Sequence, residues 1–577
     1  MKEMRHEFDV CVVGGGMAGL IAAIAAARHG ARVALVHDRP VLGGNASSEI
    51  RMHICGARGA DHRETGVLEE LLLENHYRNP QPNYSIWDSV LYGAAQYQPN
   101  LTLFLNASVH AVEMNGPRLR SVRAWQTTSE TFHTIAANLF ADCSGDGILA
   151  PLSGAEYRVG REGRAEYGES IAPVEADAKT MGLSCLFQAR EHDRPMPFTP
   201  PAWAYRFEKP EDLRNRDVHV RRTNFWWMEV GGDRDSLHDA EFLREELVRI
   251  AFGVWDYLKN RAPDRETVAR WALDWVGFLP GKRESRRYLG DHVMTQHDVE
   301  RGGPFEDIVA YGGWTMDDHF PDGFYHPGAG TIFHPAPSPF GIAYRTLYSR
   351  TIENLFCAGR CHSATHVALS ATRVMGTTSL MGQAVGTAAA IAARDGLDPR
   401  GVGERRRREL QETLMEDDVW LPGLDRPVPA LSRTARLTAT AGDPEPLRNG
   451  RDRRIGAEDN GWRGPLGAAV EYRFDGPRRL RQARLVFDSD LGRPLRNMPF
   501  RYALDDPPWA PPSTLVRAFR LEAEEADGRW AVIHREPNNY QRLVRVPLAV
   551  EARAVRLIPE ATWGAEQAHL FAFDVRD

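Results

Sequence analysis

The chain has no apolar run long enough to cross a lipid bilayer. Its longest run, residues 20–27, is far shorter than the roughly 20 residues that a membrane-spanning helix needs. The N-terminal residues lead directly into a predicted strand, without the apolar segment and small-residue cleavage site of a secretory signal. We therefore predict that the protein has no membrane partner and is cytoplasmic.

Cysteine is sparse, with 6 residues among 577, and none has the C-x-x-C spacing of iron–sulfur clusters, structural zinc sites or thioredoxin-like redox pairs. Cys357 and Cys361 form the closest pair, and we interpret them as small buried residues beside a cofactor rather than as a disulfide. Asp317, Asp318 and His319 could bind a metal, but isolated clusters of this kind are mostly at the surface or hydrogen-bonded. We predict no metal site.

Neither the charge nor the motif content points to nucleic acid or to hydrolysis. The formal net charge is −7, so we predict no nucleic-acid partner. The G-x-S-x-G and H-E-x-x-H motifs of hydrolases are missing. A second strand–G-x-G-x-x-G–helix unit is also missing, which disfavours an NAD(P)H-binding domain of the disulfide-reductase type.

The most informative segment that is present covers residues 9–44. Residues 10–13 predict a buried parallel strand, residues 17–29 a buried helix rich in alanine, and residues 33–36 the next strand. A glycine-rich turn joins the first strand to the helix. This order of elements is typical of the unit that binds an adenine dinucleotide.

Each glycine of the turn has its own physical purpose. Gly14 permits the tight turn, Gly16 lets the backbone approach a pyrophosphate, and Gly19 lets the helix pack against the strand. An acidic residue that binds the ribose hydroxyls is expected at the end of the second strand. His37 occupies that position and Asp38 follows it, so either residue could supply the contact.

Two later segments favour FAD over a nicotinamide cofactor. Residues 139–147 predict an apolar strand that ends in a Gly/Asp turn, and residues 354–360 predict a strand that brings Gly359 beside the ribityl chain. The helix predicted over 375–390 would direct its N-terminus, which favours negative charge, at the pyrimidine ring. Gly382 in that helix either contacts the cofactor or permits close helix packing, and both can hold.

The motifs at 43–51, 144–147, 281–287 and 354–360 resemble those of the FAD-dependent oxidoreductase family, which belongs to the glutathione-reductase-like and fumarate-reductase-like flavoproteins. The resemblance extends over about residues 5–395 and implies an α/β fold with a Rossmann-like FAD-binding domain. The residues that would line FAD by this resemblance are Gly14, Gly16, Gly19, Gly43, Gly44, Asn45, Gly145, Asp146, Gly359 and Arg360.

The chain predicts several domains. The FAD-binding domain is expected in two parts, 1–155 and 335–400, because the flavin-contacting segments must meet in space. The aromatic-rich stretch 156–334 would form an inserted substrate or cap domain. Residues 401–430 predict a helical linker, and the short alternating runs of 431–577 predict an all-β sandwich.

Within the cap domain, helical periodicity runs from residue 238 to residue 259. The side predicted to be buried carries Phe242, Leu243, Leu247, Ile250, Val254 and Leu258.

The C-terminal residues 435–577 resemble discoidin-like (coagulation-factor type C) jelly rolls, a class that often binds carbohydrate. The alternative is an accessory domain for docking or for assembly into a homo-oligomer. We interpret Trp462 and Trp530 as core residues rather than platforms for sugar rings.

Candidate catalytic residues lie on segments that should also contact flavin, since the flavin performs the redox step and the protein must move a proton. Arg51 could hold a carboxylate or hydroxyl, and His53 could act as a general base. His362 and His366 follow Gly359 closely and are the strongest candidates. The alternatives are a self-satisfied polar loop around Arg51 and a histidine that only hydrogen-bonds flavin or a carbonyl.

The segment 281–287 concentrates cations, and we interpret it either as a loop that binds polar oxygens or as a salt-bridged hub. The resemblance slightly favours the first role for Arg283, Glu284 and Arg287.

Together these patterns predict an FAD-dependent oxidoreductase of a small polar metabolite, with a sugar or sugar derivative as the specific expectation. Hydride would pass between a substrate carbon and flavin N5, His366 or His362 would move the proton, and Arg51 and Arg283 would hold oxygens. One alternative is the reduction of an activated C=C bond, as in fumarate-reductase-like relatives. Another is a glycan- or partner-binding protein in which FAD is structural.

Overall fold

The computed structural model describes residues 1–494 and 497–577, which divide into two units. The first unit comprises residues 1–57, 82–410 and the described part of 495–508. The second comprises 58–81, 411–494 and 509–577. Residues 58–81 therefore belong to the second unit although they lie inside the stretch 1–155 expected for the cofactor domain.

The α-helices of the described residues are α1 (Met17–Arg28), α2 (Val67–Arg78), α3 (Tyr84–Gln96), α4 (Leu149–Ser153), α5 (Arg164–Tyr167), α6 (Ala240–Asp256), α7 (Gln296–Glu300), α8 (His366–Thr372), α9 (Met375–Asp395), α10 (Pro399–Arg405), α11 (Arg407–Glu416) and α12 (Ala430–Thr434). The strands are β1 (Lys2–Val13), β2 (Val33–Val36), β3 (Leu101–Phe104), β4 (Ala107–Asn115), β5 (Arg118–Gln126), β6 (Thr131–Asp142), β7 (Tyr157–Arg158), β8 (Leu183–Ser184), β9 (Phe187–Glu191), β10 (Glu229–Val230), β11 (Trp271–Val276), β12 (Gly281–Lys282), β13 (Arg287–Tyr288), β14 (Ile308–Gly312), β15 (Met316–His319), β16 (Thr331–His334), β17 (Phe340–Ala343), β18 (Leu355–Cys357), β19 (Arg436–Ala439), β20 (Trp462–Pro465), β21 (Val470–Phe487), β22 (Val516–Glu524), β23 (Trp530–Glu536), β24 (Leu543–Thr562) and β25 (Gln567–Arg576).

A parallel sheet forms the centre of the first unit. Its strands β3, β2, β1 and β6 pair in that order, and β18 pairs with the last residues of β6 on the far side from β1. The antiparallel hairpin β4–β5 extends the sheet from the first half of β6. The four last residues of β1 and all four of β2 are buried, as expected for a parallel sheet covered on both faces. The predicted α/β class is confirmed.

Helices α1 and α9 pack together with unusually small side chains between them. A Cβ atom added to Gly382 or Gly386 would lie 2.1 Å from the carbonyl oxygen of Ala18 or Ala22, respectively. Only glycine allows the two backbones to approach so closely. The structure therefore shows the packing role predicted for Gly382, and its place beside the cofactor stays a prediction.

The helix predicted over 238–259 is α6, followed by a π-helical turn at Tyr257–Arg261. Leu243 and Leu247 are buried as expected, but Phe242 is 59% exposed. Phe242 lies on the side of the helix that carries Glu246 and Arg249, about 100° away from Leu243. The buried side of α6 is therefore narrower than predicted, because it does not include Phe242.

The second unit contains an antiparallel sheet in the order β20, β25, β21, β24, β22 and β23, with β19 paired to β21. The predicted all-β class of the C-terminal region is confirmed. The short runs 469–474 and 483–487, predicted as separate strands, belong to the single long strand β21, and the runs 543–546 and 554–557 belong to β24. Both strands stay continuous through shifts in their pairing register. Trp462 is fully buried in the core, whereas Trp530 is half-buried with the Arg556 guanidinium 4.0 Å from its ring.

No helix in the described part of the chain combines the length and the apolar character needed to cross a bilayer. The six cysteines are free thiols in this structure, and Cys357 and Cys361 are both buried.

Replacing Gly386 with alanine should destabilise the first unit, because its new methyl group must push α1 and α9 apart. We expect a loss of about 1–3 kcal/mol in the free energy of unfolding, measured by urea denaturation. Gly93→Ala in α3 is the matched control. No atom lies within 4 Å of its added Cβ, and alanine should stabilise that helix by about 0.5–1 kcal/mol. Equal urea midpoints for Gly386→Ala and Gly93→Ala would contradict the close contact between α1 and α9.

Candidate active site

A cavity opens where the glycine-rich turn joins β1 to α1. Gly14 has φ +101°, and a Cβ there would lie 2.4 Å from the backbone of Ser144, while a Cβ on Gly19 would lie 1.8 Å from the Gly14 oxygen. Gly16 differs, since its nearest neighbour would be the Cα of Gly44 at 3.9 Å. Gly14 and Gly19 thus allow the turn and the helix packing, and Gly16 borders open space.

The cavity is lined by residues 14–18, 37–39, 43–45, 143–146, 240, 241, 279, 280, 282, 359, 360, 373, 375 and 378. The predicted cofactor residues among them are Gly14, Gly16, His37, Asp38, Gly43, Gly44, Asn45, Gly145, Asp146, Gly359 and Arg360. Gly19 and Gly382 lie outside this lining and pack against Gly14 and Ala18, respectively.

Helix α1 presents its N-terminus to this cavity. The helix has no side-chain cap at Gly16 and no acidic residue in its first turn. Its first backbone N–H groups therefore carry uncompensated partial positive charge. This is the arrangement that binds phosphate groups.

His37 and Asp38 differ in their freedom to bind a ligand. The Nδ1 atom of His37 accepts the Gly15 N–H at 3.0 Å, and its Nε2 donates to the Val41 carbonyl at 3.0 Å. Burial lowers the pKa of His37, which keeps the ring neutral. Both ring nitrogens thus hold the turn, whereas the Asp38 side chain is 59% exposed. The geometry favours Asp38 for the ribose hydroxyls.

Asp146 anchors two cations at the opposite wall. Its carboxylate lies 2.6 Å from the Lys282 Nζ and 3.2 Å from the Arg360 Nη2. Burial would raise the pKa of Asp146, but Arg360 and Lys282 lower it to about 2. The Nη1 atom of Arg360 is buried and has no hydrogen-bond partner among the described residues. A polar donor of this kind fits an anionic ligand in the cavity.

The residues predicted to be catalytic do not belong to the lining of this cavity as far as the chain is described. Arg51 lies between the rings of Tyr84 and Trp275, at 4.5 Å from each, and donates to Gln188 at 2.8 Å. The Nδ1 of His53 lies 3.4 Å from the Nδ2 of Asn224.

Arg283 is bound by its own chain. It donates to the Ser184 hydroxyl at 2.9 Å and to the Trp226 carbonyl at 3.0 Å, and it lies 3.4 Å from Glu229. These contacts make Arg283 part of a salt-bridged hub.

From Glu229 an alternating array of acidic and basic side chains leads back to the cavity. The Oε2 atom of Glu229 lies 2.6 Å from the Nδ1 of His319, and the Nε2 of His319 lies 3.3 Å from Asp317. Asp317 in turn lies 3.2 Å from the Nη2 of Arg373, which lines the cavity next to the N-terminus of α9. We call Glu229, His319, Asp317 and Arg373 the first array.

A second array has the same pattern. The Nδ1 of His366 lies 2.7 Å from Glu284, and its Nε2 lies 3.1 Å from Asp318. Burial alone would lower the pKa of His366, but Glu284 and Asp318 raise it to about 10. His366 is therefore a cation with both nitrogens occupied, and it lacks the free lone pair expected of a general base.

His362 is fully buried, and its Nε2 lies 2.7 Å from the Thr372 hydroxyl. Burial, with a contribution from Arg287, lowers its pKa to about 3, so the ring is neutral.

The burial of residues 317–319 was not predicted from the sequence, and Glu229 was not among the predicted site residues. The three ionisable residues were favoured as a surface or hydrogen-bonded cluster, and they are hydrogen-bonded but largely buried. Their signal was three successive ionisable residues after an apolar Met316. Glu229 gave no comparable signal.

The parallel sheet, the uncapped helix N-terminus and the glycine turn define a dinucleotide-binding α/β protein. A family model described as FAD dependent oxidoreductase matches residues 9–414. The chain belongs to the FAD-dependent oxidoreductase family, so it is an oxidoreductase and its cofactor is FAD. The open space at Gly16 and the unpartnered Arg360 nitrogen fit that cofactor.

Similarity to curated proteins is local. Glycerol-3-phosphate dehydrogenase of Mycobacterium leprae is 40% identical over 69 residues, which are 12% of this chain and 12% of that protein. Soluble pyridine nucleotide transhydrogenase of Chromohalobacter salexigens is 55% identical over 42 residues, 7% of this chain and 9% of that protein. The chain thus spans only a small part of the curated relatives it matches.

Similar solved structures include two family 32 carbohydrate-binding modules. The module from Streptococcus pneumoniae EndoD has 17% identity and a TM-score of 0.20, and covers 26% of this chain and 98% of that one. The module from C. perfringens NanJ, in complex with galactose, has 8% identity and a TM-score of 0.19, and covers 25% and 95%. The all-β character of the second unit is established by its own sheet.

The raised pKa of His366 predicts a specific loss of stability in alkali. Its imidazolium contributes fully below pH 6.5, its ordinary pKa, and the contribution is lost as the pH rises toward 10. In calorimetry, the wild type should lose several degrees of Tm across this window. His366→Gln should be less stable at pH 6.5 and vary less with pH.

The control is His297→Gln, which removes an exposed histidine and should follow the wild-type curve. Parallel curves for wild type and His366→Gln would contradict a charged His366.

Proposed function

We propose that this flavoenzyme oxidises a hydroxyl group of a small polar metabolite, a sugar or sugar derivative, in the cytoplasm. The observation that carries the proposal is the carboxylate of Asp317, which is held by the buried His319 and by Arg373, a residue that lines the cavity. Carboxylates accept hydrogen bonds from hydroxyl groups and repel a dicarboxylate. This favours a neutral hydroxylated substrate over the C=C substrates of fumarate-reductase-like relatives.

The chain's own groups account for cofactor binding in this proposal. The N–H groups at the start of α1 would hold the pyrophosphate beside Gly16, and Asp38 would bind the ribose hydroxyls. Arg360 would donate from its unpartnered nitrogen, and Arg373 with the N-terminus of α9 would stabilise negative charge on the ring. When bound, FAD supplies the two-electron oxidation by accepting hydride from the substrate carbon.

Arg51 and Arg283 have a different role here from the one the sequence favoured. Both guanidinium groups are already satisfied by side chains, carbonyls or aromatic rings of the protein. We assign them to positioning of the surrounding loops. Homo-oligomer formation and the role of His53 stay predictions.

Anaerobic titration of the purified holoenzyme tests the reaction. D-Galactose and D-glucose are the hydroxylated probes, and at least one should bleach the oxidised-flavin absorption band. Fumarate should fail to reoxidise dithionite-reduced enzyme. Gly16→Val is the control, because its side chain enters the open space of the cavity and the protein should fold but lose FAD.

A band that no hydroxylated probe bleaches, with fumarate reoxidising the reduced enzyme, would replace this proposal with C=C reduction.

A second function is favoured by one surface of the second unit. The rings of Tyr77 and Tyr540 stack with centroids 4.0 Å apart, and Trp563 lies edge-on at 5.9 Å from Tyr77. The Asn538 amide donates to the Tyr77 hydroxyl at 2.7 Å, and the Arg517 guanidinium lies 5.8 Å from the Trp563 ring. Half-buried rings bordered by polar donors suit a carbohydrate, and we propose that this surface binds one.

Trp563→Ala should weaken the binding of galactose-containing oligosaccharides at least tenfold, because it removes an apolar ring face, as measured by isothermal titration calorimetry. Trp530→Ala is the matched control, since that ring is covered by Arg556. Equal losses in both variants, or no heat of binding in the wild type, would contradict the proposal.

A further inference from the structure

Helices α1 and α9 run in the same direction, and their register shows which part of the cavity α9 reaches. Gly382 lies against Ala18 and Gly386 lies against Ala22, so the two helices advance together along the contact. At this register, Met375 at the start of α9 lies about six residues before the level at which α1 begins. At about 1.5 Å per residue, α9 therefore projects about 9 Å beyond the N-terminus of α1.

This projection directs the start of α9 toward the flavin half of the cofactor. In the proposed function, the pyrophosphate lies at the N-terminus of α1, and the adenosine half lies beside Asp38 at the end of β2. The flavin half is then left for the walls beyond α1, where Met375 and Thr378 line the cavity. Helix α9 has no side-chain cap at Val374 and no acidic residue in its first turn, so its partial positive charge is uncompensated.

Arg373 adds a full positive charge beside this helix end. It follows directly on α8, lies two positions before Met375 and lines the cavity. Its side chain is 12% exposed, and its Nε is buried without a hydrogen-bond partner in the part of the chain that the structure describes. Buried donors are normally hydrogen-bonded, so this nitrogen fits an acceptor from outside the protein. Arg373 is therefore placed to act on negative charge that develops on the flavin ring.

Asp317 on β15 compensates part of the Arg373 charge. The Nη2 of Arg373 donates to the Asp317 carboxylate at 3.2 Å and to the Asp317 carbonyl oxygen at 3.4 Å. Thr331 donates to the other carboxylate oxygen at 2.6 Å, and the Nε2 of His319 lies 3.3 Å from the first. Burial would raise the pKa of Asp317, but His319 and Arg373 lower it below its ordinary value. Asp317 is thus an ionised carboxylate that is held against a cavity-lining cation.

The other charges of this region are paired with each other. Arg283 lies 3.4 Å from Glu229, whose carboxylate also lies 2.6 Å from the Nδ1 of His319. Of the acidic side chains that the structure describes, only Asp317 lies within ion-pair distance of Arg373. Removal of the Asp317 charge would therefore leave Arg373 without a counter-ion in the protein.

We infer that Asp317 sets the reduction potential of FAD through Arg373, because its carboxylate cancels part of the guanidinium charge and so holds the potential down. The inference rests on the proposed place of Arg373 beside the flavin ring and makes Asp317 the positioning residue behind it. Reduction leaves negative charge on the ring, which a nearby cation stabilises. A cation whose counter-ion is 3.2 Å away stabilises that charge less.

The test is the midpoint potential of bound FAD in the holoenzyme, measured against reference dyes in an anaerobic reductive titration without substrate. Asp317→Asn is nearly isosteric and keeps the carbonyl oxygen that accepts from Arg373. The guanidinium should stay in place with its charge uncompensated. The potential should rise by about 30 mV, which is a tenfold shift in affinity toward reduced FAD.

Variants of Arg373 should move the potential in the opposite direction. Arg373→Gln removes the cation, so the affinity should shift at least tenfold toward oxidised FAD. Arg373→Lys keeps the charge and should stay closer to the wild type than Arg373→Gln does. Should Arg373→Gln fail to hold FAD, the variants of β15 decide the question alone.

Asp318→Asn is the matched control on the same strand. Successive side chains of β15 point to opposite faces, and Asp318 contacts His366 at 3.1 Å on the face away from Arg373. The substitution removes the same charge one residue along the chain. It should change the relative affinity for reduced and oxidised FAD less than twofold.

The outcomes separate this inference from the proposed reaction. A potential that falls or stays unchanged in Asp317→Asn overturns the inference, as does an equal rise in Asp318→Asn. Potentials that shift as expected, in a holoenzyme whose flavin no sugar reduces, support the role of Asp317 and overturn only the proposed oxidation of a sugar.

Discussion

The close contact between α1 and α9 is the constraint on which the cofactor cavity depends. Two carbonyl oxygens of α1 lie where Cβ atoms of α9 would be, so only the glycines at 382 and 386 allow the approach. The contact joins residues from the start of the chain to residues more than 350 positions later. It brings Gly359, Arg360 and the N-terminus of α9 to the same cavity as the glycine turn. Without it, the parallel sheet would carry a turn but no closed site.

Around this cavity, charge is arranged in alternating order. Asp146 is held between two cations, and each buried histidine is held between two carboxylates. Buried charges are tolerable only when paired and hydrogen-bonded, and here His366 and Asp146 both have partners of opposite sign. The alternation also sets protonation states, since it keeps His366 charged and Asp146 ionised in a largely buried setting. The positions of these buried side chains therefore depend on the whole set of ion pairs and not on any single residue.

The sequence was sufficient wherever a local rule determines structure. The strand, turn and helix around Gly14 and Gly16 depend on residues that are neighbours in the chain, and all three elements were predicted from the sequence. His366 follows the cofactor segment 354–360 in the chain, but its partners Glu284 and Asp318 come from distant segments. Only the folded structure shows that both ring nitrogens of His366 are hydrogen-bonded to carboxylates. Gly382 was ambiguous for the same reason, because its neighbour Ala18 is remote in sequence. The long strands β21 and β24 were divided in prediction because their register shifts interrupt the alternation that signals a strand.

Residues 58–81 carry a consequence for how this protein is assembled and inherited. Helix α2 is encoded early, yet Glu69 binds Arg493 and Tyr77 stacks on Tyr540, both near the end of the chain. During synthesis, several hundred further residues must be translated before the packing partners of α2 emerge from the ribosome. The same threading prevents the β-sandwich from being exchanged as a single cassette between genes. Recombination that transfers only the C-terminal coding region would leave α2 behind, so the two units are expected to evolve together.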